Sequence, residues 1–362
     1  MKNAIYLLIA ICLIACTPKP ENSSTNETQN TSIDQQSIRK IDVHTHYRYP
    51  RAYLPELFKK WNMQSVLVDV AKADSTGIRR SWEPYLAHAK THPDLFYLCS
   101  SLIGVGIDDP DFAQKAIEQL NQEIEAGARM VKVWKNFGMV TKDTEGNFIQ
   151  IDDERLKPIW KFLISKGVPV MAHIAEPIQA WRPLDPKNPH YWYYSNHPEY
   201  HAYNIPEIPS YETIIAARDN WIESNPELQI LCAHLGSMSH DVDMVAERLD
   251  KYPNISVELG ARFGDLAMQN SEKLSAFFKK YKDRIMFGSD YNNSAQEETL
   301  TESKLKEEQS SLEERYDILW KYLSSTDSME VRRQQTKGLG LSKEILKKVY
   351  YQNTANFLKL SN

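Results

Sequence analysis

Two histidines spaced two apart close an apolar run, Ile41-Asp42-Val43-His44-Thr45-His46. Side chains alternate along a strand, so His44 and His46 leave one face together and both imidazoles can reach a single cation. Three more apolar runs end in a side chain that binds metals: Val168 to His173, Leu228 to His234, and Ile285 to Asp290. The run Ala128 to Trp134 carries Lys132 in its middle, where a lone ammonium is costly to bury. Imidazoles with one carboxylate suit zinc, or another borderline divalent ion, with a position left for water. Water held in that way ionises near pH ~7 and becomes a nucleophile in neutral solution.

These residues are far apart in sequence and need a scaffold that brings strand ends together. Gln64 to Val70, Phe96 to Val105 and Ile255 to Leu259 bring the strand-like runs to eight. Helix-like segments such as Asp111 to Glu125, Asp153 to Lys166 and Tyr211 to Asn225 separate them. Alternation of this kind predicts an α/β fold with a parallel sheet, and eight units close into a (β/α)8 TIM barrel. Strand ends in that architecture share one rim, so His44, His46, His173, His234 and Asp290 are expected around a single mouth.

The segments DVHTH, VKVWKN, MAHIAEP, CAHLGSM, MFGSDY and a closing YYQNTANFLKL resemble the amidohydrolase superfamily, in particular its amidohydrolase-related branch of metal-dependent barrel hydrolases. The likeness runs from about Ile38 to Leu360. It implies that His44 and His46 are first-strand metal ligands, His173 the fifth-strand ligand, His234 the sixth-strand histidine and Asp290 the eighth-strand acid. Lys132 falls where some members carry a carboxylated lysine that bridges two metals, and in that case His234 ligates the second ion. Other members bind one metal without it. Lys135 is an alternative, but a regular strand would aim it away from the face of Lys132.

Composition agrees with a secreted enzyme of one barrel domain. The length accommodates a full barrel, for which ~250 residues is typical. Net charge is −5, from 43 basic and 48 acidic residues, with no clustered basic stripe, which argues against a nucleic-acid partner. Lys2 and the apolar run from Ala4 to Ala15 read as a signal peptide over residues 1–15, too short for a comfortable membrane span. Leu13-Ile14-Ala15-Cys16 resembles a bacterial lipobox, with Cys16 as the lipidated first residue of the mature chain. A polar tether over 16–37 would follow, then the barrel over 38–362. That order implies a lipid-anchored protein of the bacterial cell envelope, periplasmic or on the outer membrane. Cys99 and Cys232 lie in core runs, so no disulfide framework is expected.

Between His173 and Tyr211 lies an aromatic-rich insertion after the fifth strand, with Trp181-Arg182-Pro183, His190-Tyr191-Trp192-Tyr193-Tyr194 and His197-Pro198-Glu199-Tyr200-His201. It should stand over the mouth, where its rings either stack on a ligand or plug the loop down. A second zinc site from His190, His197 and His201 is disfavoured, because no cysteine joins them. Ala295 to Glu344 should form C-terminal helices on the outside of the barrel, its charge-rich part a solvated face. Arg48, Trp134, Arg182 and Arg262 are the expected substrate contacts, the planar guanidinium being suited to a carboxylate. Pairing with a neighbouring acid is the alternative for Arg48 and Arg262. Asp42 should support the histidine pair through hydrogen bonds.

The expected function is hydrolysis of a C–O or C–N bond in a small carbonyl compound by metal-activated water, a lactone or ester ranking ahead of an amide. Asp290 would take and return the proton, and His234 would polarise the carbonyl or hold a second ion. The alternatives are a non-hydrolytic metal-dependent decarboxylase of an aromatic or unsaturated acid, and a lipid-anchored binding protein that has lost catalysis. Expected partners are a small-molecule substrate, the membrane through the lipid anchor, and further copies of the barrel.

Overall fold

The computed structural model of the protein describes residues 33–293 and 295–360. The signal peptide, Cys16 and the tether as far as Ser32 lie outside the described residues. Gln35–Ser37 forms a 3-10 turn capped by Asp34, and the ammonium of Lys40 donates to the carbonyls of Gln35, Ile38 and Trp61 at 2.5–2.9 Å.

Nine parallel strands wind into the barrel: β1 (Lys40–Tyr47), β2 (Met63–Val68), β3 (Phe96–Leu102), β4 (Ala128–Val133), β5 (Val170–Ala172), β6 (Ile230–Cys232), β7 (Ile255–Glu258), β8 (Ile285–Met286) and β9 (Tyr291–Asn293). The last two are halves of the expected eighth strand. β8 pairs with β7 and β9 pairs with β1, so the two halves close the ring between first and last units. Two further bonds complete the seam, Val43 N to Phe287 O at 3.0 Å and Asp290 N to His44 O at 2.8 Å. The break is at the end that carries the histidines, where Asp290 takes a left-handed φ of 53° and no regular ladder can continue.

The barrel interior is filled by Ile41, Val43, Val66, Val68, Cys99, Met130, Met171, Leu231 and Met286, contributed by seven of the nine strands. Ala355 and Leu358 of the C-terminal helical segment join this cluster, and Lys359 Nζ reaches Gly167 O just before β5, so the segment seals the end opposite the histidines. A larger apolar layer lies between strands and helices. Helix Phe112–Glu125 turns Phe112, Ala116 and Leu120 inward at helical spacing, and helix Lys157–Lys166 begins with a proline in its first turn and stops at Gly167, φ 61°.

Two features lie over the rim. The aromatic insertion folds as short turns around helix Tyr191–Asn196, and Trp181 Nε1 donates to Pro209 O at 3.0 Å, tying its ends together. Helix Glu302–Ser324 packs Leu312, Tyr316, Leu319 and Leu323 against the barrel as its apolar spacing requires. It leads into an antiparallel hairpin, Ser328–Val331 paired with Gln334–Lys337. That hairpin corrects the expectation of helices and a solvated face alone, because its tip reaches the mouth. Among the described residues no helix is long and apolar enough to cross a membrane.

Candidate metal centre

The histidine pair owes its placement to an irregularity in β1. The ladder to β2 shifts register between Asp42 and Thr45, and Ile41 and Val43 both pack in the interior. Asp42 therefore does not share the face of His44 and His46, as strict alternation predicts. Its Oδ2 accepts from the Tyr316 hydroxyl of the outer helix at 3.1 Å, and Oδ1 accepts from Ser289 N at 2.9 Å and His44 N at 3.3 Å. Burial pushes the Asp42 carboxyl up to about 7 against those hydrogen bonds. The support expected of Asp42 is present, reached from behind the strand.

Each of three imidazoles is oriented through Nδ1. His44 Nδ1 lies 3.0 Å from Glu258 Oε1, His46 Nδ1 2.8 Å from Val68 O, and His234 Nδ1 2.7 Å from Gly260 O. Bonds to a carboxylate and two carbonyls place the proton on Nδ1 and leave Nε2 unprotonated, with its lone pair turned away from those partners. Asp290 Oδ1 lies 3.2 Å from His46 Nε2 and 3.6 Å from His44 Nε2. Lys132 Nζ sits 3.2 Å from His44 Nε2. His173 meets His234 edge to face with ring centroids 4.3 Å apart, and its buried Nε2 has no protein partner.

Backbone strain collects at the same rim. Ala175, His234, Leu235, Ser237, Ala261 and Asp290, all following strands, have φ between 53° and 64°. Each such non-glycine residue costs about 1–2 kcal/mol and persists only where surroundings fix it. Glu258 does much of that fixing. Its Oε1 accepts from His234 N at 2.6 Å and its Oε2 from Gly260 N at 2.5 Å, while Tyr211 and Ser237 brace the turn through carbonyls at 2.9 Å. A β-carbon at Gly260 would lie 2.7 Å from Glu258 Oε2, and one at Gly288 would overlap the same oxygen. Sequence reading missed Glu258, although it closes an apolar run just as the ligand-bearing strands do.

One cavity of about 350 Å³ gathers His44, His46, Lys132, Trp134, His173, His234, Arg262 and Asp290. The expected convergence of strand ends is therefore met. Lys135, which a regular strand would turn away, lines the cavity too, because β4 stops at Val133. Its ammonium pairs with Glu176, donates to the Tyr193 hydroxyl at 2.7 Å, and lies 3.4 Å from the Tyr200 ring centre. The insertion thus contributes Pro189, His190 and the Tyr193 ring to the wall, and Tyr194 is buried beneath, so stacking surface and plug coexist.

Two expected substrate contacts are placed elsewhere. Arg48 lines a neighbouring cavity with Lys72 and Arg80, because a tight turn, Arg48 N to His46 O at 2.9 Å, ends the alternation that would have kept it beside His46. Arg182 lines a groove within the insertion with Leu184 and Tyr191, and its carbonyl accepts from His201 Nε2 at 2.9 Å. His190 bonds Asp265 at 2.9 Å and His197 bonds Glu199 at 3.3 Å, so the insertion's three histidines serve separate partners.

A family model described as amidohydrolase matches residues 41–360. The chain belongs to the amidohydrolase family. None of the curated proteins matches this amidohydrolase. Among solved structures, a TIM-barrel protein from Bordetella bronchiseptica is similar with a TM-score of 0.52 at 16% identity, over 89% of this chain and 99% of that one. A 2,6-dihydroxybenzoate decarboxylase from Rhizobium is similar with a TM-score of 0.50 at 15% identity, over 90% and 100%. At such identities the likeness is one of fold.

The amidohydrolase presents a donor set that fits a divalent ion. His44, His46 and Asp290 offer ligand atoms within 4.8 Å of one another, as do His44, His234 and Glu258, while His173 belongs to neither group. Burial, followed by neighbouring cations, holds the His44 and His173 pKa values well below the ordinary one, and burial followed by Arg262 does the same at His234. Neutral imidazoles are what a metal requires. His173 lines the same cavity, and its buried Nε2 has no hydrogen-bond partner within the protein.

Proposed function

We propose that this amidohydrolase is a zinc-dependent hydrolase acting on a C–O or C–N bond of a small carbonyl compound, with a lactone or ester ahead of an amide. The observation that carries the reading is the Asp290 carboxylate, 3.2 Å from His46 Nε2 with 26% of its side chain open to the cavity. A divalent ion held by His44, His46 and Asp290, with His173 and His234 alongside, supplies Lewis acidity and water that is acidic at neutral pH. Asp290 takes a proton at Oδ1 and returns it to the leaving group. Burial pushes its carboxyl up, but the neighbouring His44 and His46 bring it down to about 2, so it stands ionised in neutral water. His234, its Nδ1 proton committed to Gly260, turns Nε2 towards the substrate carbonyl or a second ion.

Arg262 favours a second reading. It is 5% exposed, its Nη1 donates to Ala261 O at 3.1 Å, its Nε has no partner, and among the described residues it forms no ion pair. A buried guanidinium with no carboxylate in direct contact calls for an anionic ligand, and a substrate carboxylate is the natural one. That fits decarboxylation as well as hydrolysis of a carboxylated lactone. Purified protein offered a lactone and ester panel should release acid, and offered dihydroxybenzoate-type acids should release no CO₂. CO₂ release without ester or lactone turnover replaces the first reading with the second. We further propose acylation of Cys16 and residence on the cell envelope, on the strength of Leu13-Ile14-Ala15-Cys16. Metabolic labelling with palmitate, lost in Cys16→Ala, tests it.

A further inference from the structure

The hairpin over the mouth has a tip that its sequence does not favour. Val331 pairs with Gln334, leaving Arg332 and Arg333 as a two-residue loop with φ of 51° and 66°. Turns with positive φ at both positions strongly prefer Asn-Gly, since glycine escapes the clash and asparagine tolerates it. Two arginines accept the clash in full. Strain of this kind persists where the side chains it delivers matter.

Arg332 lines the metal cavity with Arg262 and Asp290. Its stem is seated on the rim, because a β-carbon at Gly264 would lie 3.3 Å from Arg332 Cβ and 2.8 Å from Pro189 Cβ. Hairpin, seventh-strand loop and aromatic insertion therefore meet at Gly264, and a larger residue there would pry them apart. Burial and the nearby Arg315 bring the Arg332 pKa down to about 10, with Asp290 opposing, so the guanidinium stays charged in neutral water. Of the acids of the wall, Glu176 is paired with Lys135, and Asp290 lies against His44 and His46 with no arginine in ion-pair contact. Two guanidiniums thus face the cavity without a carboxylate of their own among the described residues.

We propose that Arg332 is a specificity-determining residue, carried into the mouth by the Ser328–Lys337 hairpin to bind a second anionic group of the substrate while Arg262 binds the first. The inference rests on reading this cavity as the substrate site, and it assigns the substrate to small carbonyl compounds with two acidic groups. Arg333 acts only as the other half of the turn.

Calorimetric titration of the metal-loaded protein with benzoate and with isophthalate tests this, since the two probes differ by one carboxylate. The wild type should bind isophthalate at least ~10-fold more tightly, the lower end for one charge-assisted guanidinium–carboxylate contact. Arg332→Gln should remove that preference and leave benzoate within about twofold, whereas Arg262→Gln should weaken both probes by ~10-fold or more. Equal loss of both probes in Arg332→Gln, no loss of either, or no binding by the wild type at millimolar concentration overturns the proposal. Joint replacement Arg332→Asn with Arg333→Gly should raise Tm by ~2 °C or more while abolishing the preference. A lowered Tm would instead make Arg332 a structural residue. Isophthalate preference in a protein that turns over no ester, lactone or aromatic acid leaves this inference standing and removes the reaction proposed above.

Discussion

His44 Nδ1 and Glu258 Oε1 are 3.0 Å apart, both side chains essentially free of solvent, on strands β1 and β7 that only the split eighth strand separates. The same oxygen accepts from His234 N, so one carboxylate aims the first-strand imidazole and steadies the strained sixth-strand turn. Glu258→Gln keeps the volume and loses the charge. Zinc affinity, measured by competition with a chromophoric chelator, should fall ~10- to 100-fold. Unchanged affinity would show that the contact does not tune the site.

Asp290→Asn keeps shape and hydrogen-bonding reach but cannot accept the proton. On whichever substrate of the panel the wild type turns over, kcat should fall ~10²- to 10⁴-fold. A loss below tenfold removes Asp290 as the base.

Lys132 is buried, and burial brings its pKa down to about 8, with Glu258 and Asp290 opposing. No carboxylate lies within ion-pairing distance of its Nζ among the described residues, and its atomic neighbour is His44 Nε2 at 3.2 Å. A cation there is incompatible with a dication on the same nitrogen, whereas a carboxylated lysine would bridge two ions. Protein reconstituted with bicarbonate should carry two zinc ions per chain, and Lys132→Ala one. One ion in both retires the carboxylation.

Asp265 carries the pH dependence. Burial pushes its carboxyl up, but His190, Arg262 and Ser239 outweigh that and hold it below the ordinary value. A depressed acid stabilises fully above its unfolded pKa of about 3.9, and the contribution fades as pH falls through the folded value. The difference in urea-unfolding free energy between wild type and Asp265→Asn should therefore be flat above pH ~4 and shrink below it. A difference that grows towards acid contradicts the assignment.

The strands were readable because each is an apolar run, and their ends carried the chemistry: His44, His46, His173, His234 and Asp290 all reach one cavity. What alternation could not supply were its own interruptions. The shifted register in β1 turned Asp42 outward, the turn after Tyr47 carried Arg48 away, and the early end of β4 brought Lys135 in. Glu258 escaped notice because its partners, His44 and the backbone of His234, are distant in sequence. Arg332 escaped because a turn of two arginines carries none of the usual Asn-Gly signal.

Ala355 and Leu358 stopper the barrel opposite the histidines. Among the described residues this leaves the mouth framed by the Arg332 hairpin and the aromatic loops as the doorway to the cavity, which reactant and product of the proposed reaction would share. In the proposed reaction, product that retains the acidic groups of its precursor would compete for the threshold it must cross to leave.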